Sequence, residues 1–195
     1  MKKKTRKKTN KHSDMKFPHI FFLVFLLTLN SCDSTKSLID NGADESRTIE
    51  LDGKKFTLGP GKSEKIDLEA GVHKLTVKDV AGVAMLDTTF EAKGAGMVNA
   101  GLDGYVMWKL FYGLAKDRET ALKEDWTEMD SVKYFGEFNY YPPNTPFVNL
   151  SWELGPDEPV EDAKNLVITQ DFKVVRKLFR MDDFKKKYEE ISKAK

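Results

Sequence analysis

The 195-residue chain has one cysteine, Cys32, and three histidines, His12, His19 and His73. A single thiol cannot close an internal disulfide, and no cysteine pair is present to hold zinc or to cycle between redox states. Beyond Cys32 there is no thiol nucleophile, and His73 is the only imidazole left for a Ser-His-Asp triad or a zinc centre. Gly-x-Ser-x-Gly, His-Glu-x-x-His and phosphate-cradling sequences are absent as well. Long apolar runs are missing. The most apolar stretch, residues 20–29, is 10 residues long, whereas a helix needs roughly 20 to cross a bilayer.

What is present at the N-terminus is an address. Lys2, Lys3, Lys4, Arg6, Lys7, Lys8, Lys11 and Lys16 precede the apolar run, which stops at Leu29-Asn30-Ser31-Cys32. A basic flank, a short apolar run and a small residue, in that order, make a secretory signal. Met15-Lys16-Phe17-Pro18-His19 would be a compact basic region by itself, so Met1 and Met15 both fit as the start. With Cys32 directly after Ser31, residues 15–32 resemble the lipobox signal of bacterial lipoproteins. The resemblance implies cleavage between Ser31 and Cys32 and a covalent lipid on Cys32. No other cofactor and no metal are expected. It also implies a location in the bacterial cell envelope, on the inner or the outer membrane. One fatty chain anchors only marginally, so the two or three chains of such a cysteine would be needed for stable attachment.

Charge changes with the signal. Residues 1–31 hold eight basic side chains and one acidic one, Asp14, which leaves 24 basic and 30 acidic residues, a net of −6. Nucleic-acid binding runs on phosphate neutralisation by Lys and Arg, so this balance argues against it. Adsorption to anionic lipid through a basic face is disfavoured for the same reason.

Residues 32–46 are small, polar and acidic and read as a lipidated cysteine followed by a flexible tether. Asp40-Asn41-Gly42-Ala43-Asp44-Glu45 lacks the alternating oxygens and late glutamate of a calcium loop. From Arg47 the period becomes two. Ile49 and Leu51 lead into Asp52-Gly53, a hairpin signal, and Phe56 and Leu58 answer it. Ile66 and Leu68, then His73, Leu75 and Val77, then Leu86, Thr88 and Phe90 continue the alternation. Residues 47–93 therefore predict a small antiparallel β-sandwich, and 94–195 a β-rich C-terminal region ending in a helix. The class is mainly β.

Gly59-Pro60-Gly61-Lys62-Ser63-Glu64 followed by Leu68-Glu69-Ala70-Gly71-Val72-His73-Lys74-Leu75-Thr76-Val77 resembles PEGA-type domains, small Ig-like modules of bacterial envelope proteins. The resemblance covers about 45 residues. It implies a structural or interaction module without catalysis and identifies no ligand.

In the C-terminal region, residues 94–101 read as a glycine-rich loop and 105–112 as a buried strand. Residues 114–126 fit a short exposed helix or a long loop. Strands are expected at 131–138, 166–169 and 172–179. Asp182 or Asp183 can cap a last helix that lines up Phe184, Tyr188 and Ile191. Trp126, Tyr140, Tyr141 and Trp152 are the candidate binding residues, with Glu153, Asp157 and Glu158 as nearby acceptors. Aromatic faces with carboxylates can stack on and hydrogen-bond sugars, but aromatics in a β protein fill the core first and contact other proteins next. Adjacent carboxylates in the loop Asp157-Glu158 and Glu161-Asp162 rarely hold a glycosidase separation. The sequence thus points to a non-enzymatic interaction or scaffolding module with an envelope-protein partner. Glycan or peptidoglycan binding through the aromatics is the alternative.

Overall fold

Alternation organises the first half of the domain. The computed structural model describes residues 37–149, 151–160 and 172–193. Six strands run from β1 (Ser37–Asn41) through β2 (Arg47–Leu51), β3 (Lys54–Leu58), β4 (Lys62–Ile66) and β5 (Gly71–Lys78) to β6 (Ala84–Ala92). At the first hairpin Asp52 has φ 50° and Gly53 φ 79°. Two successive left-handed residues match the twist of the strands they join, which sets Ile49 opposite Phe56.

After β3 the chain changes sheet. Proline offers no N–H, and Gly61 takes φ 58°, so Gly59-Pro60-Gly61 turns the chain out of the first sheet. That sheet has the order β3-β2-β5-β6. β4 instead pairs antiparallel with β1, Ser37 opposite Ile66. β1 also pairs in parallel with β7 (Met97–Asn99), which β12 (Phe147–Val148) flanks, for a second sheet of order β12-β7-β1-β4. Ile49, Leu75 and Val77 of the first sheet and Ile39, Ile66 and Val98 of the second enclose one core. Phe90 of β6 stacks on Phe147 at 4.9 Å. Each fully buried aliphatic side chain there is worth about 1.5–3 kcal/mol.

Two expectations are corrected here. Residues 37–41, read as tether, form the buried strand β1, because Leu38 and Ile39 are too short an apolar pair to signal a strand among polar neighbours. Residues 94–101, read as loop, contain β7. A Cβ on Gly96 would overlap the Phe147 ring and the Val148 carbonyl, so that glycine serves the close approach of β12.

The rest of the chain builds a second layer. β8 (Tyr105–Gly113) lies between β11 (Phe138–Tyr141) and β13 (Phe172–Arg180), antiparallel to both. Between β8 and β11 come α1 (Ala115–Ala121) and the hairpin β9 (Asp125–Met129) and β10 (Val132–Gly136). The strand expected over 131–138 is two strands, β10 and β11, parted at Glu137. The one expected over 166–169 lies outside the described residues. Both faces of β8 are covered, which accounts for its nearly unbroken apolar sequence. Trp108 and Val106 face Phe179, Tyr134 and α2 (Met181–Lys193), whereas Tyr105 and Met107 face Met97 and Val148 of the sandwich. On α2, Phe184 is fully buried and meets Trp108 edge-on at 5.7 Å and Tyr134 at 5.0 Å. Residues on either side of position 93 thus share sheets and cores, and the contacts of residues 34–195 form one unit.

Candidate functional site

Cys32 and Ser31 lie outside the described residues. The four candidate aromatics do not form one platform. Trp126 and Phe135 are opposite each other across β9 and β10, on the outward face of the hairpin, with ring centroids 5.4 Å apart. They are 62% and 42% exposed, while Tyr134, one residue away, points into the core at 7%. Tyr140 and Tyr141 are successive residues of a strand and so face opposite ways. Tyr140 packs on the cluster around Trp108 and donates from its hydroxyl to Asp130 at 2.6 Å. Burial, and then that hydrogen bond and the Asp130 charge, push the Tyr140 phenol up to about 12. Tyr141 packs on the smaller cluster around Tyr105.

Trp152 packs on the same small cluster and forms one wall of a groove of about 450 Å3. Leu38 of β1, Ser63 and Lys65 of β4, Ala95 and Gly96 before β7, and residues 151, 153 and 155–158 make up the rest. The groove carboxylates are already engaged. Arg176 grips Glu153 through Nη2 at 2.9 Å and Nε at 3.1 Å, and Arg180 Nη2 donates to Asp157 at 2.7 Å. Ser63 also donates to Asp157. Burial pushes both carboxyls up, but these hydrogen bonds outweigh it and hold both below the usual range. A glycosidase acid requires the opposite shift.

Beneath the groove lies a buried ionic knot of which only Asp157 was a sequence candidate. Asp40 on β1 is fully buried and receives Arg180 Nε at 3.0 Å, Arg180 Nη2 at 2.6 Å and the Tyr105 hydroxyl. Burial raises the Asp40 pKa against the pull of Arg180. Arg180 also donates to the Gly61 carbonyl at 3.3 Å, so one guanidinium joins β1, the turn before β4, the 155–158 turn and β13. Lys177 does similar work nearby. It is 2% exposed, its ammonium donates to the Gly155 and Pro156 carbonyls, and burial draws its pKa down to about 8.

At the far end of β1 an acidic hollow of about 860 Å3 gathers Asp44, Glu45, Asp103, Asp130, Asp182 and Asp183 against Arg47 and Arg180. The Asp40–Glu45 stretch is occupied internally. The Asn41 amide donates to the carbonyls of Glu45, Leu58 and Gly59, and Asp40 is held by Arg180. Among the described residues no cluster of three or more His, Cys, Asp or Glu side chains is arranged to hold a metal ion.

His73 is a strand-start residue, 9% exposed. Its Nδ1 lies 2.6 Å from Asp52 and its Nε2 2.9 Å from the Glu69 carbonyl. Two acceptors ask for two donors, which the imidazolium supplies. Burial pulls its pKa down, but the Asp52 hydrogen bond and the others outweigh it and leave the pKa raised.

No family model, no curated protein and no solved structure matches this chain, so every functional reading rests on its own residues.

Proposed function

We propose that the chain is a bacterial envelope lipoprotein, anchored through lipid on Cys32, whose PEGA-like sandwich and C-terminal layer serve as a non-enzymatic module for binding another envelope protein. The observation that carries the reading is the Trp126–Phe135 pair. Large aromatic side chains are costly to leave in water and rich in binding energy when covered, and they dominate protein–protein hot spots. Here two of them lie side by side on the outward face of a hairpin, next to Glu128 opposite Lys133. An apolar centre with a charged edge matches the anatomy of a protein interface. A photoreactive phenylalanine analogue at position 126, in intact cells, should give a reproducible protein adduct that the same analogue at Glu50 does not give. Equal labelling from both positions would sink the reading.

The Trp152 groove favours glycan binding as a second reading, because an indole wall gives the apolar face of a sugar ring a surface to stack on. Trp152→Ala should then abolish retention on peptidoglycan while leaving the circular dichroism spectrum unchanged. Retention that survives the substitution, or a parent protein that is not retained, removes this alternative.

A further inference from the structure

We infer that the end of the sandwich where β1 begins, with Leu38, Ala95 and Trp152 at the groove rim, rests against the lipid headgroups of the membrane that holds the protein. The inference rests on the Cys32 anchor proposed above. β1 starts at Ser37, so only residues 33–36 separate it from Cys32. That length of chain spans about 18 Å at full extension.

The strand register identifies what lies at this end. Ser37 is opposite Ile66, and Leu38 is opposite Met97, so the 67–70 and 93–96 connections flank the start of β1. Gly71, where β5 begins, pairs with Ala92 beside them. Val72 is 74% exposed on this end. Trp152 is half-buried at the groove, and indoles concentrate at the membrane interface, where one edge is apolar and the other wet.

The opposite end offers a rival. The tip of the β5–β6 hairpin exposes Val80 at 70% and Val83 at 60%. Length decides between them. β5 has eight residues and runs away from the β1 start over about 26 Å. With the hairpin tip on the membrane, Ser37 would stand farther from the surface than the linking chain can reach. The acidic hollow with Asp44, Glu45, Asp182 and Asp183 lies at the far end of β1, but the β1 start carries exposed Asp67 and Glu69, so length and not charge separates the two ends.

The test uses the full lipidated chain in vesicles of phosphatidylethanolamine and phosphatidylglycerol. Lipidation consumes the Cys32 thiol, so Ala95→Cys and Val80→Cys each provide one labelling site for an environment-sensitive fluorophore. Headgroup spin-labelled lipid should quench the label at position 95 several-fold more than the label at position 80. Equal quenching, or stronger quenching at position 80, overturns the inference while mass spectrometry of the N-terminal peptide still reports the lipid. An unlipidated peptide overturns both the anchor and the inference. A groove rim at headgroup depth leaves no open sugar site, so the expected result also weighs against glycan binding.

Discussion

Among single residues, Arg180 carries the largest consequence. Its guanidinium is the cation against which a fully buried Asp40 is ionised, and it reaches Asp157 and the Gly61 carbonyl as well. Removing one partner of a buried ion pair costs about 3–5 kcal/mol, because the other charge is left without compensation. Arg180→Met is therefore expected to destabilise the domain by that order in urea melts. The sign of the pH dependence follows from Asp40. Its folded pKa is already raised by burial, and loss of Arg180 raises it further. A raised carboxyl binds its proton more tightly folded than unfolded, so its stability contribution is full below the unfolded value and is lost as pH rises through the folded value. The penalty of Arg180→Met should thus be smaller at acid pH and grow toward neutrality. A penalty independent of pH would mean that Asp40 is not the group left uncompensated. None of this was legible from composition. Asp40 sits in a polar stretch that resembles a tether, and its partners Tyr105 and Arg180 are 65 and 140 residues away.

For the elements, legibility depended on whether local period and turn chemistry settled the matter. β2, β3, β5, β6, β8 and β13 appear where alternation, the Asp52-Gly53 turn or the unbroken apolar run placed them. The terminal helix is there with Phe184 in the core, but it begins at Met181, so Asp182 and Asp183, expected to cap it, lie inside its first turn. β1, β7, β9 and β12 were missed, being two to five residues long, too short for a period to show. Yet β1 is an inner strand of its sheet, bonded on both edges, and Ile39 is fully buried. A protein that starts at Arg47, the first residue with clear alternation, should therefore lack a cooperative urea transition, whereas one that starts at Ser34 should keep it. A cooperative transition in the shorter protein would show that β4, β7 and β12 can form their sheet without β1.

On the scale of the whole molecule, β7 and β12 complete the sandwich and β8 is shared between layers, so the region after residue 93 is packed into the first rather than appended to it. The binding candidates show the same division. Trp126 stands exposed because its hairpin turns one face to the core through Tyr134 and the other to solvent, on a strand, β9, that begins where the sequence predicted a short helix or long loop over 114–126. That Trp152 belongs with β1 and β4 in a groove depends on long-range pairing. By itself the sequence determined the mainly β class, the hairpins between residues 47 and 92, the final helix and the charge balance, because alternation, turn residues and composition act locally or by simple addition. Only the tertiary structure decided the sheet exchange by β4, the parallel β1–β7 pair, the Asp40–Arg180 knot and which aromatics stay outside. Those outcomes depend on partners distant in sequence, whose pairing no local period encodes.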